Sequence, residues 1–467
     1  MNYSKLMKSI TILFLFSFYC LSGKTQQDLS DAEKGWAAEK NILNAIKLPV
    51  FRDKDYSIIQ FGAKADGITD CTEAFKKAIE VCNQAGGGRV VVPEGIFLTG
   101  AIHLKTNVNL YISEKATIKF STDPNQYLPV VFTRFEGVEC YNYSALIYAN
   151  GQENIAITGK GILDGQADKS NWWKWKGKKD PTGKDTTNSV VELNKMGDDG
   201  VPVSQRIFGA GHFMRPNFIQ LVNCKNVLID GLTILHSPMW EIHPLLSENI
   251  TVQNVKINSL GPNNDGCDPE CCKNVLIKNC DFRTGDDCIA IKSGRNNDGR
   301  RVNVLSENII IQDCRMNDGH GGVVIGSEIS GSVRNVYAEN CVMDSPNLDR
   351  VLRIKTNSLR GGIVENVFMR NIKVGQVKEA VILVSFNYQE GDKGLFTPVV
   401  RNIYVSNIIS EMSNYGLFLD AYARSPVTNL VVENCRFNAV KNDNLLNFVK
   451  DLSFKEFYIN GKLVTTN

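Results

Sequence analysis

Asn274-Val-Leu-Ile-Lys-Asn-Cys280 and Asn308-Ile-Ile-Ile-Gln-Asp-Cys314 are two copies of one repeated pattern. Each begins with asparagine, continues with alternating apolar residues, and has a second Asn or Asp five residues later. The first half recurs at Asn226, Asn249, Asn274, Asn308, Asn335, Asn366, Asn402 and Asn429. From Asn249 onward the copies begin 25 to 36 residues apart, with no amphipathic helix between them. Short strands and turns at this period predict a parallel β-helix, and the Leu-x-x-Leu-x-Leu signature of leucine-rich repeats is absent.

Four polar clusters accompany the repeat between residues 263 and 355. They read Asn263-Asn-Asp-Gly-Cys-Asp268, Gly285-Asp-Asp-Cys-Ile-Ala-Ile-Lys292, Gly319-His-Gly321 and Leu352-Arg-Ile-Lys355. Equivalent strands of successive coils stack about 4.8 Å apart, and Asp286 and His320 each lie twelve residues after a repeat asparagine. We therefore expect the clusters to meet on one face of four consecutive coils. Three carboxylates, a histidine and an Arg/Lys pair suit acid–base chemistry on an anionic substrate.

Strand alternation predicts which of these side chains face the groove. Arg353 and Lys355 flank an apolar residue, so both are expected to point outward together. Asp286 and Asp287 are neighbours, and a regular strand would bury the charge of one of them at high cost. Gly285 is expected to form a turn or bulge that brings both carboxylates to the groove.

The 467 residues are expected to form one long repeat unit preceded by two short segments. Residues 1–23 read as a signal peptide, because Lys5 and Lys8 precede an apolar stretch that is too short to span a membrane. Residues 24–55 are a polar, partly helical extension, and residues 56–467 form the β-helix, with an insertion at about 165–215. The expected location is therefore periplasmic or secreted. Cys20 is a weaker candidate for a lipid anchor, because bulky Tyr19 precedes it.

Charge and cysteine content exclude several classes of partner. The net charge is +2 with 22% charged residues, which gives no basis for nucleic-acid binding. Cys267, Cys271 and Cys272 cluster without histidines at ligand spacing, so no zinc site is expected. We expect no cofactor, no bound metal, no membrane span and a monomeric chain. Four cysteines six residues after a repeat asparagine are predicted to stack as buried thiols rather than disulfides: Cys280, Cys314, Cys341 and Cys435.

Two parts of the chain depart from the repeat. A helix starting at a capping box formed by Asp70 and Glu73 is predicted to cover the open N-terminal end of the coil. The insertion carries Trp172, Trp173 and Trp175. These tryptophans either stack on sugar rings beside the groove or anchor the long loop, and the sequence leaves both readings open.

The ordered set Asn-x-Asp-Gly, Gly-Asp-Asp, Gly-His-Gly and Arg-x-Lys resembles the signature of glycoside hydrolase family 28, the polygalacturonases and their relatives. The likeness covers about residues 56–440, with Asn264 where threonine is more familiar. It implies an all-β, pectin-lyase-like, right-handed parallel β-helix and inverting hydrolysis of α-1,4-linked galacturonic acid. On this resemblance Asp286 would be the general acid, and His320 would tune it. Asp265 and Asp287 would position and deprotonate the attacking water.

The same resemblance implies a pectic polysaccharide or oligogalacturonate as substrate. Arg353 and Lys355 would hold the uronate carboxylate, which an arginine can grip with two hydrogen bonds. Lys292 and Arg295 are further predicted substrate-binding residues. The insertion at 165–215 is expected to fold over one end of the groove, and the basic loop at 293–301 is expected to clamp a terminal uronate. The loop also resembles the exo-acting bacterial branch, which predicts cleavage from chain ends.

Other functions are left open by the sequence. A pectate lyase shares fold and substrate, but it removes a proton with an Arg or Lys base and usually recruits calcium through clustered acids. Asp265, Asp286 and Asp287 are open to interpretation as such a calcium cluster. Related family activities on rhamnogalacturonan or other pectic side structures are a further alternative. A non-catalytic carbohydrate-binding β-helix would need no acid pair. Inversion calls for carboxylates about 6.5–9.5 Å apart, a distance that the sequence does not fix, and crowding should keep one of three carboxyls protonated.

Overall fold

The computed structural model of the protein describes residues 30–177 and 187–466. The predicted signal peptide and Cys20 lie outside these residues. Across both described ranges, no helix is long and apolar enough to cross a membrane.

Four α-helices and many short strands lie within the described residues. The helices are α1 (Asp31–Ala45), α2 (Thr72–Gln84), α3 (Asn188–Asp198) and α4 (Asn296–Val302), with 3₁₀ turns at Ile58–Phe61, Pro124–Tyr127, Trp172–Lys176 and Val203–Gln205. The strands up to residue 259 are β1 (Asp55–Ser57), β2 (Asp66–Asp70), β3 (Gly88–Val92), β4 (Gly95–Thr99), β5 (Ile102–His103), β6 (Val108–Ile112), β7 (Ala116–Phe120), β8 (Val131–Phe135), β9 (Val138–Asn142), β10 (Ile147–Asn150), β11 (Glu153–Gly159), β12 (Ile162–Asp164), β13 (Ile219–Val222), β14 (Lys225–Asp230), β15 (Thr233–Leu235), β16 (Ile242–Leu245), β17 (Glu248–Gln253) and β18 (Lys256–Ser259). The later strands are β19 (Lys273–Lys278), β20 (Asp281–Thr284), β21 (Ile289–Ile291), β22 (Ser306–Gln312), β23 (Arg315–Asp318), β24 (Val323–Ile325), β25 (Val333–Glu339), β26 (Val342–Met343), β27 (Arg350–Lys355), β28 (Ile363–Gln376), β29 (Ala380–Ser385), β30 (Val399–Met412), β31 (Tyr415–Asp420), β32 (Val427–Phe437), β33 (Leu445–Asn447), β34 (Val449–Ile459) and β35 (Lys462–Leu463).

The strands wind into a parallel β-helix with three faces, as the repeat predicted. The first face runs from β1 and β3 through β6, β11, β14, β17, β19, β22 and β25 to β28, and onward to β34. The second runs from β2 and β4 through β7, β12, β15, β18, β20, β23 and β26, and merges with the first at β28. The third contains β5, β10, β13 and β16, then β21, β24, β27, β29, β31 and β33. Cys267 bridges its two parts by pairing with Ile242 and Ile289.

Alternation along each strand fills the lumen with aliphatic side chains. On the first face Ile229, Val252, Ile277 and Ile311 stand in register on successive coils, and each is fully buried or nearly so. Full burial of a side chain of this size stabilises the fold by roughly 1.5–3 kcal/mol. The period-2 pattern of the sequence therefore becomes a continuous apolar column along the coil.

The repeat asparagines form a hydrogen-bonded ladder along the first face. Each takes a left-handed backbone conformation, for example φ 61° at Asn308 and φ 57° at Asn335. The Nδ2 of Asn335 donates to Oδ1 of Asn308 at 3.0 Å, and Asn308 donates to Asn274 at 2.9 Å. The ladder extends from Asn107 to Asn429. Asparagine suits this position because it tolerates positive φ and its amide both donates and accepts.

The two ends of the coil are covered by different elements. Helix α2 buries Ala74, Phe75 and Ala78 in the main core, as expected of a cap. The predicted capping box is wrong: the helix N-cap is Cys71, which makes no side-chain cap bond, while Asp70 Oδ1 accepts from the amide of Thr72 at 2.9 Å. At the other end β35 pairs antiparallel with β34.

The cysteine column is confirmed in part. All twelve cysteines within the described residues are free and buried. Cys280, Cys314 and Cys341 lie on successive coils of the second face. Ile372 and Ile408 occupy the equivalent position in the next two coils and separate these three from Cys435.

Candidate active site

The predicted site residues lie side by side on the third face. Ile289 pairs with Val323, and Val323 pairs with Leu352, so the turns that precede β21, β24 and β27 are stacked. Gly285 lies in the bend before β21. A Cβ there would lie 2.0 Å from the carbonyl oxygen of Gly261, so a close backbone approach requires glycine at this position.

A polar cleft of about 110 Å³ opens over these turns. Its lining consists of Glu136, Lys176, Trp240, Asn263, Asp265, Asp286, Lys292, Arg295, Ser327, Glu328, Lys355, Tyr388 and Gln389. Five of the eight predicted site residues are in this lining. Larger clefts lie elsewhere on the surface, but they do not contain the clustered carboxylates.

Asp286 and His320 form a partly exposed pair. Nδ1 of His320 lies 2.8 Å from Oδ1 of Asp286, and their side chains are 51% and 20% exposed. The hydrogen bond to Asp286 raises the pKa of His320 above its ordinary value, against the opposing effect of burial. The bond occupies Oδ1 and leaves Oδ2 of Asp286 as the oxygen for a proton. Of the three predicted catalytic aspartates, Asp286 is the most exposed to solvent.

Asp287 is fully buried and forms ion pairs with two cationic side chains. Nζ of Lys355 lies 2.7 Å from its Oδ2, and Nη1 of Arg353 lies 3.3 Å from its Oδ1. Burial alone would raise the pKa of Asp287, but the charges of Lys355 and Arg353 outweigh it and hold the pKa well below its usual range. Both cations also lie beside the ring of Tyr388, at 5.5 Å for Arg353 and 5.3 Å for Lys355. Asp287 is therefore a permanently ionised group beneath the cleft.

Asp265 has a different environment. It is 3% exposed, and its Oδ2 lies 3.4 Å from Nζ of Lys292, while its Oδ1 has no hydrogen-bond partner among the described residues. Burial and the nearby carboxylates of Asp268 and Asp286 raise the pKa of Asp265 well above its ordinary value. Lys292 thus lies against these carboxylates and also lines the cleft, and its predicted contact with substrate stays a prediction.

The three aspartates lie close together, at a separation that the sequence did not fix. One oxygen from each of Asp265, Asp286 and Asp287 lies within 4.8 Å of the other two. This is shorter than the roughly 6.5–9.5 Å usual for inverting pairs, because Asp286 and Asp287 share one turn and Asp265 lies one coil below. A gap of this size fits a single water that makes hydrogen bonds of about 2.8 Å to two carboxylates.

The same trio was the feature that a calcium-dependent lyase would share. Here Lys355 and Arg353 already neutralise Asp287, and Lys292 lies against Asp265. With positive charge supplied by these side chains, the environment does not fit the oxygen cage that calcium prefers.

One end of the cleft is closed by the antiparallel hairpin β8–β9 and its turn at Glu136 and Gly137. The amide of Arg295 donates to the Gly137 carbonyl at 3.0 Å. A Cβ on Gly137 would lie 2.7 Å from the Cβ of Arg295 and 2.8 Å from the Cγ of Glu328. Closure by the insertion stays a prediction, and the sequence did not predict the hairpin. Lys176 is the insertion residue that joins the cleft lining, 3.9 Å from Glu136.

The basic loop and the tryptophans play mainly structural parts. Arg300 donates to the carbonyls of Leu359 and Arg360 at 3.0 Å. Arg295 is the loop arginine that lines the cleft, and binding of a terminal uronate by the loop stays a prediction. Trp172 is 1% exposed, and Trp173 and Trp175 pack against the main core. The tryptophans therefore anchor the insertion.

Sequence reasoning missed several residues around the catalytic groups. Asp268 and Glu328 lie 3.5 and 3.6 Å from Lys292. Arg215, at the end of the insertion, donates to Oδ1 of Asn263 at 2.7 Å. Asp268 had a usable signal, because it closes the first polar cluster three residues after Asp265.

Comparisons with known proteins agree with this geometry. The chain is 46% identical to a hyperthermoactive exopolygalacturonase from Thermotoga maritima of known crystal structure, with a TM-score of 0.89 over 93% of this chain and 97% of that one. It is 27% identical over 443 residues to a probable polygalacturonase of Vitis vinifera, covering 90% of this chain and 83% of that protein. It is 29% identical to the exo-poly-α-D-galacturonosidase of Dickeya chrysanthemi, covering 74% of this chain and 59% of that protein. The sequence profile of Glycosyl hydrolases family 28 matches residues 210–453, more than half of the chain, and the chain belongs to that family.

Proposed function

We propose that the protein hydrolyses α-1,4-linked galacturonic acid in polygalacturonate and pectin, releasing small products from chain ends. The observation that carries the chemistry is the division of roles among three aspartates within 4.8 Å of one another. One is partly exposed and paired with a histidine, one is permanently ionised, and one is buried with raised proton affinity.

Asp286 is the proposed general acid. Its Oδ2 carries the proton, and His320 holds Oδ1 at 2.8 Å so that the carboxyl faces the cleft. The proton passes to the glycosidic oxygen as the bond to the anomeric carbon breaks. General acid catalysis of this kind contributes roughly 10²–10⁴-fold to rate.

Asp265 and Asp287 act on the attacking water. Asp287 is a poor base, because Lys355 and Arg353 stabilise its ionised form, so it orients the water by accepting a hydrogen bond. Asp265 binds a proton more readily and takes the one that the water loses. The hydroxide portion joins the anomeric carbon, so the products are two saturated sugars, one of which has a new reducing end.

Arg353 and Lys355 are the proposed contacts for the uronate carboxylate. Lys355 lines the cleft, and both cations lie beside the ring of Tyr388, which is also part of the lining. Both therefore place positive charge at this edge of the cleft, although each also contacts Asp287. Arg295, beside the hairpin turn, is a third cation for an anionic chain end.

Exo action is supported by the closed end of the cleft and by the 46% identical exopolygalacturonase. A groove that the β8–β9 hairpin blocks leaves room for few sugars beyond the cleavage point. The test is to follow viscosity and reducing ends together on polygalacturonate. We expect reducing ends to accumulate with little loss of viscosity and one short saturated product. An early collapse of viscosity with mixed oligomers would overturn exo action, and unsaturated products would overturn hydrolysis.

We also propose that the enzyme is exported and acts as a monomer. Lys5, Lys8 and the apolar stretch that follows support export, and a polymeric substrate requires an enzyme outside the cytoplasm. Cell fractionation with N-terminal sequencing, and light scattering on the purified protein, test the two statements. A cytoplasmic protein that retains residue 1 would refute export, and a stable oligomer at assay concentration would refute the monomer.

A further inference from the structure

Lys292 is a single buried cation shared by three carboxylates. Its Nζ lies 3.4 Å from Asp265, 3.5 Å from Asp268 and 3.6 Å from Glu328. It also lies 4.5 Å above the ring of Trp240. The side chains of all four charged residues are at most 10% exposed. Among the described residues Lys292 is the one cation in contact with both Asp265 and Asp268, and it is shared with Glu328 as well. One positive charge cannot stabilise both buried aspartates in ionised form, so at least one of these carboxyls holds a proton.

Glu328 is the carboxyl best able to remain ionised. The hydroxyl of Ser327 donates to its Oε1 at 2.8 Å. Burial would raise its pKa, but the charges of Lys292, Arg360 and Arg295 lower it to about 2. The proton therefore belongs to Asp265 or Asp268.

Contacts distinguish Asp265 from Asp268. Asp268 is 0% exposed, does not line the cleft, and neither of its oxygens has a hydrogen-bond partner among the described residues. Burial raises the pKa of both aspartates, so their contacts and access to water are what separate them. Asp265 receives the hydrogen bond of Lys292 and lines the cleft, where water can reach it. A negative charge is thus better supported on Asp265, and a proton is better placed on Asp268.

We propose that Asp268 and Lys292 are positioning residues that set the charge of Asp265. Asp268 holds the proton that Asp265 would otherwise take, and Lys292 stabilises the ionised Asp265 that activates water. The inference rests on the proposed role of Asp265 in hydrolysis. Neither residue needs to touch the substrate, which explains why a lysine in the catalytic strand is buried.

Other titratable or charged groups face this cluster from the surrounding coils. They are Arg215, Glu241, His243, Asp286, Asp287, Glu328 and Lys355. Glu241 is fully buried, and burial raises its pKa well above the ordinary value, so it stays neutral near pH 7. The variants below change Asp268, Lys292 or Glu328 and leave all the other groups in place.

The test compares kcat against pH for the full chain and its variants on oligogalacturonate. The acid limb of this profile is the fall in kcat toward low pH, which the proposal assigns to protonation of Asp265. Asp268→Asn keeps both the shape and the neutral charge of a protonated carboxyl, so the acid limb should stay within about 0.3 of a unit of its wild-type position. Lys292→Met removes the cation, so the acid limb should move to higher pH by about one unit, a tenfold change at a fixed pH. Lys292→Arg should restore much of the wild-type profile. Lys195→Met, on the exposed surface of α3, is the matched control and should leave the profile unchanged.

A raised limb in Lys292→Met with an unmoved limb in Asp268→Asn supports the proposal, because a purely structural role would lower kcat at every pH without moving the limb. A moved limb in Asp268→Asn means that Asp268 is ionised, and an unmoved limb in Lys292→Met means that Lys292 does not set the charge of Asp265, so either result overturns the proposal. If Lys292→Met does not fold by circular dichroism, Glu328→Gln replaces it and should lower the acid limb by releasing Lys292 toward Asp265. An unmoved limb in Glu328→Gln, or a moved limb in Asp268→Asn, overturns the proposal in that case. Saturated products with an unmoved limb in Lys292→Met reject this inference alone, whereas unsaturated products reject the proposed function.

Discussion

The ion pair between Lys355 and Asp287 should be strongly coupled energetically, and a double-mutant cycle can measure this. The cycle consists of Lys355→Met, Asp287→Asn and the double variant. The Lys355 ammonium and the fully buried Asp287 carboxylate are 2.7 Å apart, with Arg353 at 3.3 Å on the other oxygen. Removing one partner of a buried ion pair costs about 3–5 kcal/mol, because the other charge is left uncompensated. Since Arg353 remains, we expect about 3 kcal/mol for Lys355→Met.

The double variant leaves no unpaired carboxylate, so its loss of stability should fall short of the sum of the single variants by about 2–3 kcal/mol. Guanidinium unfolding followed by tryptophan fluorescence at pH 7 gives the free energies. The deficit of Lys355→Met should shrink between pH 7 and pH 4, because Asp287 without its lysine has a higher pKa and can take up a proton. Lys378→Met, whose side chain is 65% exposed, is the control and should cost less than about 1 kcal/mol. Additivity within about 0.5 kcal/mol would refute the reasoning.

Three further predictions follow from the site and the scaffold. Asp286→Asn should lower turnover by roughly 10²–10⁴-fold while calorimetric binding of oligogalacturonate stays intact; a variant that keeps a tenth of the rate would remove Asp286 as the acid. Because the pKa of His320 is raised, its pairing stabilises the fold below about pH 6.5 and is lost as pH rises through the folded value, so the stability deficit of His320→Gln should be larger at pH 5.5 than at pH 9, and equal deficits would contradict it. Asn335→Ala should cost about 2–3 kcal/mol in unfolding experiments, from two ladder hydrogen bonds and a strained positive φ, whereas Asn335→Gly should relieve the strain and cost less; equal losses would show that φ plays no part.

The β-helix and the proximity of the four motifs could be predicted from the sequence, because the features that produce them are local and periodic. Asparagine at positive φ and alternating apolar residues repeat in every turn, so spacing alone placed Asp286, His320 and Lys355 together. The hairpin that closes the cleft was not readable, because its position depends on a contact between Gly137 and Arg295, which lie on separate loops. Local spacing also could not show how near the carboxylates approach.

Lys292 shows a second limit of reasoning from the pattern. Alternation correctly turned it away from the lumen, but a side chain on the outer face of a strand can still be buried by loops above it. Its three carboxylate partners come from two different coils, Asp265 and Asp268 on one and Glu328 on another. The sequence identified the residue type and the face of the strand. It could not identify the carboxylates that pair with Lys292, because they come together only when the loops of different coils are assembled.

The asparagine ladder joins successive coils in the same way whatever the number of residues in each coil. Asn226 donates to Asn154 at 3.0 Å across 72 residues, including the whole insertion, and Asn249 donates to Asn226 at 3.2 Å across 23 residues. The rungs are alike although one turn of chain is three times as long as the other. Loops on the third face can therefore grow, shrink or be exchanged without altering the geometry that the ladder enforces. Selection for stability then acts on the ladder residues, and selection for substrate choice acts on the loops. A new groove can therefore evolve while the ladder stays unchanged.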